Sequence, residues 1–166
     1  MNLYQLLLER EASGRPIRVG LLGAGKFGSM FLAQAQRTPG LHLLGVVDLS
    51  PSRARDNLAR VGWPAERISA RSPGEAVDRR TTWVGDDART LVEHPALDVL
   101  IDATGHPSAG ITHALAAIAN GKHVVMVNVE ADALAGPLLA KKARAAGVVY
   151  SLAYGDQPVL IAEQVD

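Results

Sequence analysis

The sequence predicts an α/β protein built on a doubly wound parallel sheet, preceded by a short N-terminal helix. Three observations favour this class. Segments with strand character alternate with segments of helical spacing at intervals of about 20 to 30 residues. The central strands are near-continuous apolar runs, which is typical of parallel strands that are buried on both faces. Finally, 48% of the 166 residues are hydrophobic, which is enough for a substantial core.

Strand and helix signals follow one another along the chain. Apolar and β-branched runs predict six strands, at residues 17–22, 41–47, 81–84, 97–103, 123–127 and 148–152. Apolar side chains at helical spacing predict helices at residues 2–11, 26–37, 50–60, 75–79, 86–93, 108–120 and 131–146. Glycines end several helices, and Ser50-Pro51 begins one with a capping serine and a proline. Residues 62–85 are the least regular part.

The N-terminal helix carries Leu6, Leu7 and Leu8 in a row, and Ser13-Gly14-Arg15-Pro16 ends it before the first strand. These leucines either cover an edge of the sheet or contact a second copy of the chain. We expect packing within the chain, with a homo-oligomer as the alternative.

The composition limits the classes of function. The chain has 17 basic and 17 acidic residues and no long block of Lys or Arg, so neither nucleic acid nor an anionic membrane is expected as a partner. It has no cysteine, which excludes disulfides, thiolate metal sites and cysteine nucleophiles. No apolar run approaches the roughly 20 residues that span a bilayer. We therefore expect a soluble, cytoplasmic protein without a bound metal ion.

A glycine-rich turn separates the first strand from the second helix. Gly23-Ala24-Gly25-Lys26-Phe27-Gly28 fits the pattern G-x-G-x-x-G, and an acid follows about 20 residues later. In the Rossmann fold these glycines permit the tight turn, let a pyrophosphate approach the backbone, and let the helix pack on the sheet. The first N–H groups of the helix then face the anion. The alternative is a turn without a ligand. The expected dinucleotide contacts are Gly23, Gly25, Lys26, Phe27 and Gly28.

Asp48 ends the second strand, where a carboxylate accepts hydrogen bonds from the hydroxyls of the adenosine ribose. Such a carboxylate favours NAD and repels the 2′-phosphate of NADP. Ser50 and Arg53 follow closely, and both are able to grip this phosphate if Asp48 turns away. Their alternatives are a helix N-cap for Ser50 and a solvated helix residue for Arg53. These residues therefore leave the choice between NAD and NADP open.

Ligands of open α/β sheets bind at the carboxyl ends of the strands. Thr104 and Gly105 end a central strand, and the glycine would let the nicotinamide ribose lie against the backbone. Asn128 ends the next strand, where it either bonds the nicotinamide or a substrate or is a polar turn residue. Glu130 is a candidate acid or base, with a solvated or capping role as the favoured alternative.

The histidines and the last loop give weaker signals. His106 lies beside Gly105, within reach of a substrate, and His113 follows seven residues later on the same helix face. Neither has the i, i+4 partner of a helical metal site, so structural or surface roles are favoured. Asp156 and Gln157 follow the last strand and either approach the crevice or are exposed in a loop.

From residue 17 to about residue 158, the chain resembles the nucleotide-binding domain of the homoserine dehydrogenase superfamily. The resemblance is carried by residues 15–20 with the glycine-rich turn, by Asp102-Ala103-Thr104-Gly105 and by residues 121–132. Within this superfamily the chain is most similar to a branch of larger oxidoreductases that carry a C-terminal SAF-type domain. That branch includes the deoxyxylulose-phosphate-reductoisomerase-like proteins, which use NADPH. The resemblance therefore implies an NAD(P) cofactor, with NADP slightly favoured.

One position departs from the pattern of this superfamily. Homoserine dehydrogenases usually carry an Asn-Lys pair after the fifth strand, with the lysine beside the reacting groups, whereas Asn128 is followed here by Val129. A valine neither donates a hydrogen bond to an alcohol nor shuttles a proton. Homoserine is therefore not the expected substrate.

These features together predict the cofactor-holding part of an NAD(P)-dependent oxidoreductase that acts on a small hydroxy or keto compound. We expect an N-terminal helix at residues 1–14, a nucleotide-binding domain at residues 15–157, and a cut-off helix at residues 158–166 that leads to a substrate domain outside this chain. The sequence does not identify the catalytic acid and base. A non-catalytic module that senses nucleotide or redox state is the main alternative, and a methyltransferase is a weaker one.

Overall fold

The computed structural model describes residues 2–153, which contain one sheet of six parallel strands. Across the sheet the strands lie in the order β3-β2-β1-β4-β5-β6, and each pairs in parallel with its neighbours. The order reverses between β1 and β4, which is where such folds form a ligand crevice. The predicted fold class is thereby confirmed. The strands are β1 (Ile17–Leu22), β2 (Leu41–Val47), β3 (Trp83–Gly85), β4 (Val99–Asp102), β5 (His123–Met126) and β6 (Tyr150–Leu152).

Helices cover both faces of this sheet. Successive strand side chains point to opposite faces, so Leu21 packs with α2 and α3 whereas Leu22 packs with α5, α6 and α7. Both leucines are buried, and burial of such a side chain contributes about 1.5–3 kcal/mol. The helices of the described residues are α1 (Leu3–Ala12), α2 (Lys26–Ala35), α3 (Pro51–Arg60), α4 (Pro73–Arg79), α5 (Ala88–Val92), α6 (Pro107–Ala119) and α7 (Val129–Ala145).

The structure corrects several predicted boundaries. β4 begins at Val99 rather than at residue 97, because Leu97 is buried in the turn before the strand. β3 begins at Trp83 rather than at residue 81, because the hydroxyl of Thr82 donates to the carbonyl of Leu43 at 2.7 Å. A 3-10 helix at Ala65–Ile68 lies in the stretch that the sequence left irregular.

The N-terminal helix lies at the amino ends of the strands. The carboxylate of Glu11 accepts a hydrogen bond from the N–H of Gly40, just before β2, at 2.9 Å. None of the residues of α1 is buried, and Leu3 is 67% exposed. The helix therefore meets the chain before β2 through Glu11 and through the backbone of Leu7, which lies against Gly40, whereas its leucine side chains are not buried.

Two further findings concern the limits of the described chain. Within residues 2–153, no helix is long and apolar enough to cross a bilayer. The helix predicted at residues 158–166, and the loop residues Asp156 and Gln157, lie outside the described residues.

Candidate functional site

A cleft of about 400 Å³ lies at the carboxyl ends of β1 to β4. Its position is the crevice at which ligands bind in open parallel sheets. Five of its lining side chains are apolar: Leu22, Val47, Leu49, Ala88 and Ala109. Its polar lining groups are Asp48, Arg53, Asp86, Thr104, His106 and His113.

The glycine-rich turn borders this cleft through Gly23. Gly23 has a φ of +90°, and a Cβ on it would lie 2.6 Å from the carbonyl oxygen of Ala103. A Cβ on Gly28 would collide with the carbonyl of Gly23. The turn and the close approach of α2 to β1 therefore both require glycine.

Gly25 has a different role from the other two glycines of the motif. A Cβ placed on Gly25 would meet no atom within 4 Å, so packing within the described residues does not require glycine here. Gly25 is also the N-cap of α2 and supplies no side-chain hydrogen bond. The first N–H groups of a helix have no partner within it, so here they remain available to an anion. The side chains of Lys26 and Phe27, at the start of α2, are exposed.

Asp48 lies at the carboxyl end of β2 with a side chain that is only 6% exposed. Its carboxylate accepts hydrogen bonds from the N–H groups of Ala24 and Ser50, both at 2.9 Å, and from the guanidinium of Arg53 at 2.7 Å. Burial raises the pKa of Asp48, but these hydrogen bonds and the charge of Arg53 outweigh burial and leave the pKa below its usual value. Asp48 is therefore an ionised carboxylate at neutral pH.

Ser50 and Arg53 both make contacts within the protein. The hydroxyl of Ser50 caps α3 by accepting from the N–H of Arg53 at 3.4 Å and lies 3.2 Å from the hydroxyl of Ser52. The side chain of Arg53 pairs with Asp48 but is 63% exposed. The guanidinium therefore lies at the rim of the cleft, beside Asp48, the carboxylate that is predicted to bind the adenosine ribose.

The peptide group of Ala24 is held on both of its polar atoms. Its N–H donates to Asp48, and its carbonyl accepts from the side-chain amide of Asn57, on α3, at 2.7 Å. Asn57 was not predicted as a site residue, because a polar residue on a helix is by default solvated. Only the packing of α3 beside the turn reveals its contact.

Thr104, Gly105 and Asn128 come together at the ends of β4 and β5. The amide of Asn128 donates to the hydroxyl of Thr104 at 3.2 Å and to the carbonyl of His106 at 2.9 Å, and its oxygen accepts from the N–H of Ala131 at 3.1 Å. Asn128 is 2% exposed. Its polar atoms therefore hold the loop after β4 against the start of α7, while a direct contact with the nicotinamide stays a prediction.

The surroundings of Gly105 and Glu130 are open. Gly105 has a φ of +67°, and a Cβ on it would meet nothing within 4 Å among the described residues. This leaves backbone surface beside the loop for a ligand. Glu130 is exposed in the first turn of α7, where a carboxylate interacts favourably with the helix dipole.

Asp102 and His113 form a pair that the sequence did not predict. The Asp102 side chain is fully buried, and its carboxylate bonds Nδ1 of His113 at 2.7 Å and accepts from the hydroxyl of Thr104 at 2.7 Å. Burial raises the pKa of Asp102, but the hydrogen bonds from His113 and Thr104 outweigh burial and lower it. One feature of the sequence could have indicated this pair, namely the carboxylate that ends the otherwise apolar strand β4. A buried acid of this kind needs a hydrogen-bonding partner.

His106 and His113 both line the cleft from α6. His106 is the N-cap of this helix, and its Nδ1 accepts from the N–H of Ala109 at 3.4 Å. Among the described residues, no group of three His, Cys, Asp or Glu side chains is arranged to hold a metal ion.

The chain is similar to several known proteins. Residues 23–152 match the family described as "Homoserine dehydrogenase, NAD binding domain". The homoserine dehydrogenase of Pseudomonas aeruginosa is 28% identical over 137 residues, which are 81% of this chain and 28% of that protein.

Two solved structures extend the comparison. An NAD binding oxidoreductase from Klebsiella pneumoniae has a TM-score of 0.63 at 26% identity, over 90% of this chain and 38% of its own. A homoserine dehydrogenase from Thiobacillus denitrificans has a TM-score of 0.63 at 24% identity, over 82% of this chain and 29% of its own, a likeness that shows the fold.

The chain thus spans between 28% and 38% of the length of these relatives. The family match covers most of the chain and runs from the glycine-rich turn to the end of β6. It includes the acid after β2 and the polar loops after β4 and β5. The chain therefore belongs to the homoserine dehydrogenase NAD-binding domain family.

Proposed function

We propose that this chain binds the nicotinamide cofactor of an oxidoreductase that acts on a small hydroxy or keto compound. The observation that supports this most directly is the turn at Gly25, where a Cβ would meet no protein atom and the start of α2 has no side-chain cap. A pyrophosphate is the anion that fits such a turn when a carboxylate for the ribose lies at the end of the next strand.

The residues suited to hold the cofactor divide between its two ends. Asp48 and Arg53 border the cleft on the adenosine side, and Thr104 and Gly105 lie at the end of β4 for the nicotinamide ribose. When bound, the nicotinamide supplies the hydride chemistry, and the protein sets its position. Asn128 would act on the nicotinamide side by holding the loop after β4, through its bonds to Thr104 and His106.

The substrate and the acid–base groups belong to a part of the enzyme beyond residues 2–153 in this proposal. Val129 lies at the start of α7, where homoserine dehydrogenases usually carry a lysine, and its side chain transfers no proton. This chain also spans only 28% of the Pseudomonas relative and 38% of the Klebsiella one. A substrate other than homoserine, bound by a further domain, accounts for both observations.

The choice between NAD and NADP rests on Asp48. The resemblance to reductoisomerase-like enzymes favours NADP, but the carboxylate is held in place by the N–H groups of Ala24 and Ser50. A fixed negative charge beside the ribose repels a 2′-phosphate. We therefore propose that the chain prefers NAD, with Arg53 paired to Asp48 rather than to a phosphate.

Substitution of Gly25 tests the proposal directly. Gly25→Val fills the space at the start of α2 without a clash, and Gly25 has a φ of −71°, so we expect a folded protein that loses at most about 1 kcal/mol at the N-cap. Its affinity for NADH, measured by fluorescence titration, should fall at least about tenfold, since a Val side chain excludes the pyrophosphate.

Gly74→Val is the matched control, because a Cβ there would lie 3.8 Å from the nearest atom and Gly74 lies outside the cleft. It should bind NADH like the wild type. Parallel titrations with NADPH and S-adenosylmethionine identify the ligand class. An unchanged NADH affinity in Gly25→Val, or tighter binding of S-adenosylmethionine than of either dinucleotide, would contradict the proposal.

A further inference from the structure

The pairing of His113 with Asp102 decides which ring nitrogen is free. Asp102 is fully buried and has a lowered pKa, so its ionised carboxylate accepts a hydrogen bond from the Nδ1–H of His113 at 2.7 Å. In the neutral ring the other nitrogen, Nε2, then carries a lone pair and is a hydrogen-bond acceptor. His113 is 21% exposed and lines the cleft. No described residue forms a hydrogen bond with Nε2.

The walls around His113 suit a flat aromatic group. Leu22, Val47, Ala88 and Ala109 line the same cleft with apolar surface. Leu49, at the end of β2, is 97% exposed and adds an apolar edge. A planar base between such walls removes apolar surface from water, which favours binding.

The position of the cleft indicates which base this is. Asp48 and Arg53 line it together with His113, and Asp48 is the residue suited to the hydroxyls of the adenosine ribose. The base attached to that ribose is adenine. On its edge, adenine carries an exocyclic 6-amino group that donates hydrogen bonds, whereas hypoxanthine carries an oxygen at the same position.

We infer that Nε2 of His113, held as an acceptor by Asp102, bonds the 6-amino group of the adenine and makes the cleft selective for adenine over 6-oxo purines. This inference rests on the proposed function, because it assumes a dinucleotide with its adenosine end beside Asp48. An acceptor facing the oxygen of hypoxanthine loses a hydrogen bond and places two lone pairs against each other.

The wild-type chain provides the first test. In reduced nicotinamide hypoxanthine dinucleotide, a 6-oxo group replaces the 6-amino group and N1 carries a hydrogen. We expect this dinucleotide to bind about three- to tenfold more weakly than NADH. Equal affinities would overturn the inference while leaving the proposed function intact. Failure to bind either dinucleotide would instead contradict the proposed function itself.

His113→Asn then assigns the selectivity to one atom. The amide nitrogen of asparagine takes the place of Nδ1 and keeps a donor for Asp102, but nothing replaces Nε2. The variant should bind NADH about three- to tenfold more weakly and the hypoxanthine dinucleotide about as well as the wild type, so that the ratio of the two affinities approaches one. A thermal unfolding curve close to that of the wild type checks that the pair with Asp102 still supports the fold.

Asp86→Ala is the matched control, since Asp86 is another acceptor that lines the cleft and its side chain is exposed. It should keep a preference for NADH of at least about threefold. Loss of the preference in Asp86→Ala, or its persistence in His113→Asn, would overturn the assignment to His113. If His113→Asn does not fold, the ratio of the affinities for NADH and for the hypoxanthine dinucleotide in the wild type and in Asp86→Ala still decides between His113 and Asp86 as the acceptor.

Discussion

Among the individual residues, Asp48 links the glycine-rich turn to the start of α3 in the proposed dinucleotide site. Its carboxylate holds the N–H of Ala24 in the glycine-rich turn and pairs with the guanidinium of Arg53 at the start of α3. In the proposed site, Asp48 would act on the pyrophosphate through the shape of the turn and on the ribose through its charge. A substitution that separates these two roles must keep an oxygen for Ala24 while removing the charge.

Asp48→Asn makes this separation. The amide oxygen still accepts from Ala24, whereas the N–H of Ser50 and the guanidinium of Arg53 lose the oxygen that they share. The loss of charge removes the repulsion of a 2′-phosphate and releases Arg53 to pair with it. We expect the ratio of NADPH to NADH affinity, measured by titration, to rise at least about tenfold. Glu75→Gln removes an equivalent charge from an ion pair with Arg79 on α4 and should leave the ratio unchanged. No change in Asp48→Asn would refute the specificity argument.

Asp102 should make the stability of the fold depend on pH in the acid range. Its pKa is lowered in the folded protein, so its contribution is complete well above the usual Asp value of 3.8 and is lost as the pH falls through the folded value. Asp102→Asn should therefore cost about 1–3 kcal/mol in urea denaturation near pH 7. The difference in the free energy of unfolding between this variant and the wild type should become smaller below pH 3.8.

Asp78→Asn, at an exposed position of α4, serves as the control and should show no such gap at either pH. A gap for Asp102→Asn that stays constant down to about pH 3 would show that its effect does not come from the ionised carboxylate.

Among the secondary-structure elements, α6 and α7 pack unusually closely beside the loops of the site. A Cβ on Gly110, in the second turn of α6, would lie 2.7 Å from the amide nitrogen of Asn128 and 3.0 Å from the Cβ of Ala131. Since Asn128 also holds Thr104 and His106, this packing transmits the position of α6 to the loop after β4.

Gly110→Ala tests this coupling. The added methyl group must displace Asn128, so we expect a loss of about 1–3 kcal/mol in the free energy of unfolding. NADH binding should weaken as well, because the loop at residues 104–106 shifts with Asn128. Gly74→Ala, with ordinary contacts, should change neither quantity. Full stability in Gly110→Ala would mean that α6 moves aside without disturbing the loop.

The sequence predicted elements best where local and tertiary forces agree. β2 matches its predicted bounds, because its apolar run is buried on both faces and ends at Asp48. The start of β3 was predicted two residues too early. Only three residues, Trp83–Gly85, pair with β2, and their burial depends on residues that are far away in the sequence. The glycine-rich turn was likewise evident from spacing. The pair of Asp102 and His113 was not, because it joins the end of a strand to the middle of a helix.

For the molecule as a whole, the parallel sheet separates two surfaces. The groups suited to the cofactor lie at the carboxyl ends of the strands, whereas α1 contacts the amino end of β2 through Glu11. In our proposal the cleft groups bind and orient the cofactor, and the acid–base groups for the substrate belong to a part of the enzyme beyond residues 2–153. Binding and turnover should therefore be separable in this chain.

We predict that the 166-residue chain binds NADH without catalysing hydride transfer. Absorbance of the reduced nicotinamide, followed with small hydroxy acids, keto acids and homoserine at saturating cofactor, should change no faster than without protein. Gly25→Val serves as the background control. Turnover that is present in the wild type and absent in Gly25→Val would show that this chain contains the catalytic groups.

The double attachment of Ala24, to Asp48 on one side and Asn57 on the other, also bears on kinetics. A turn that is preorganised in this way loses little conformational entropy when a ligand arrives. Association should then follow a single concentration-dependent phase, without a slow rearrangement of the loop. Asn57→Ala would remove the hydrogen bond to the carbonyl of Ala24. Association with the dinucleotide should then show a second, slower phase in which the turn reorders.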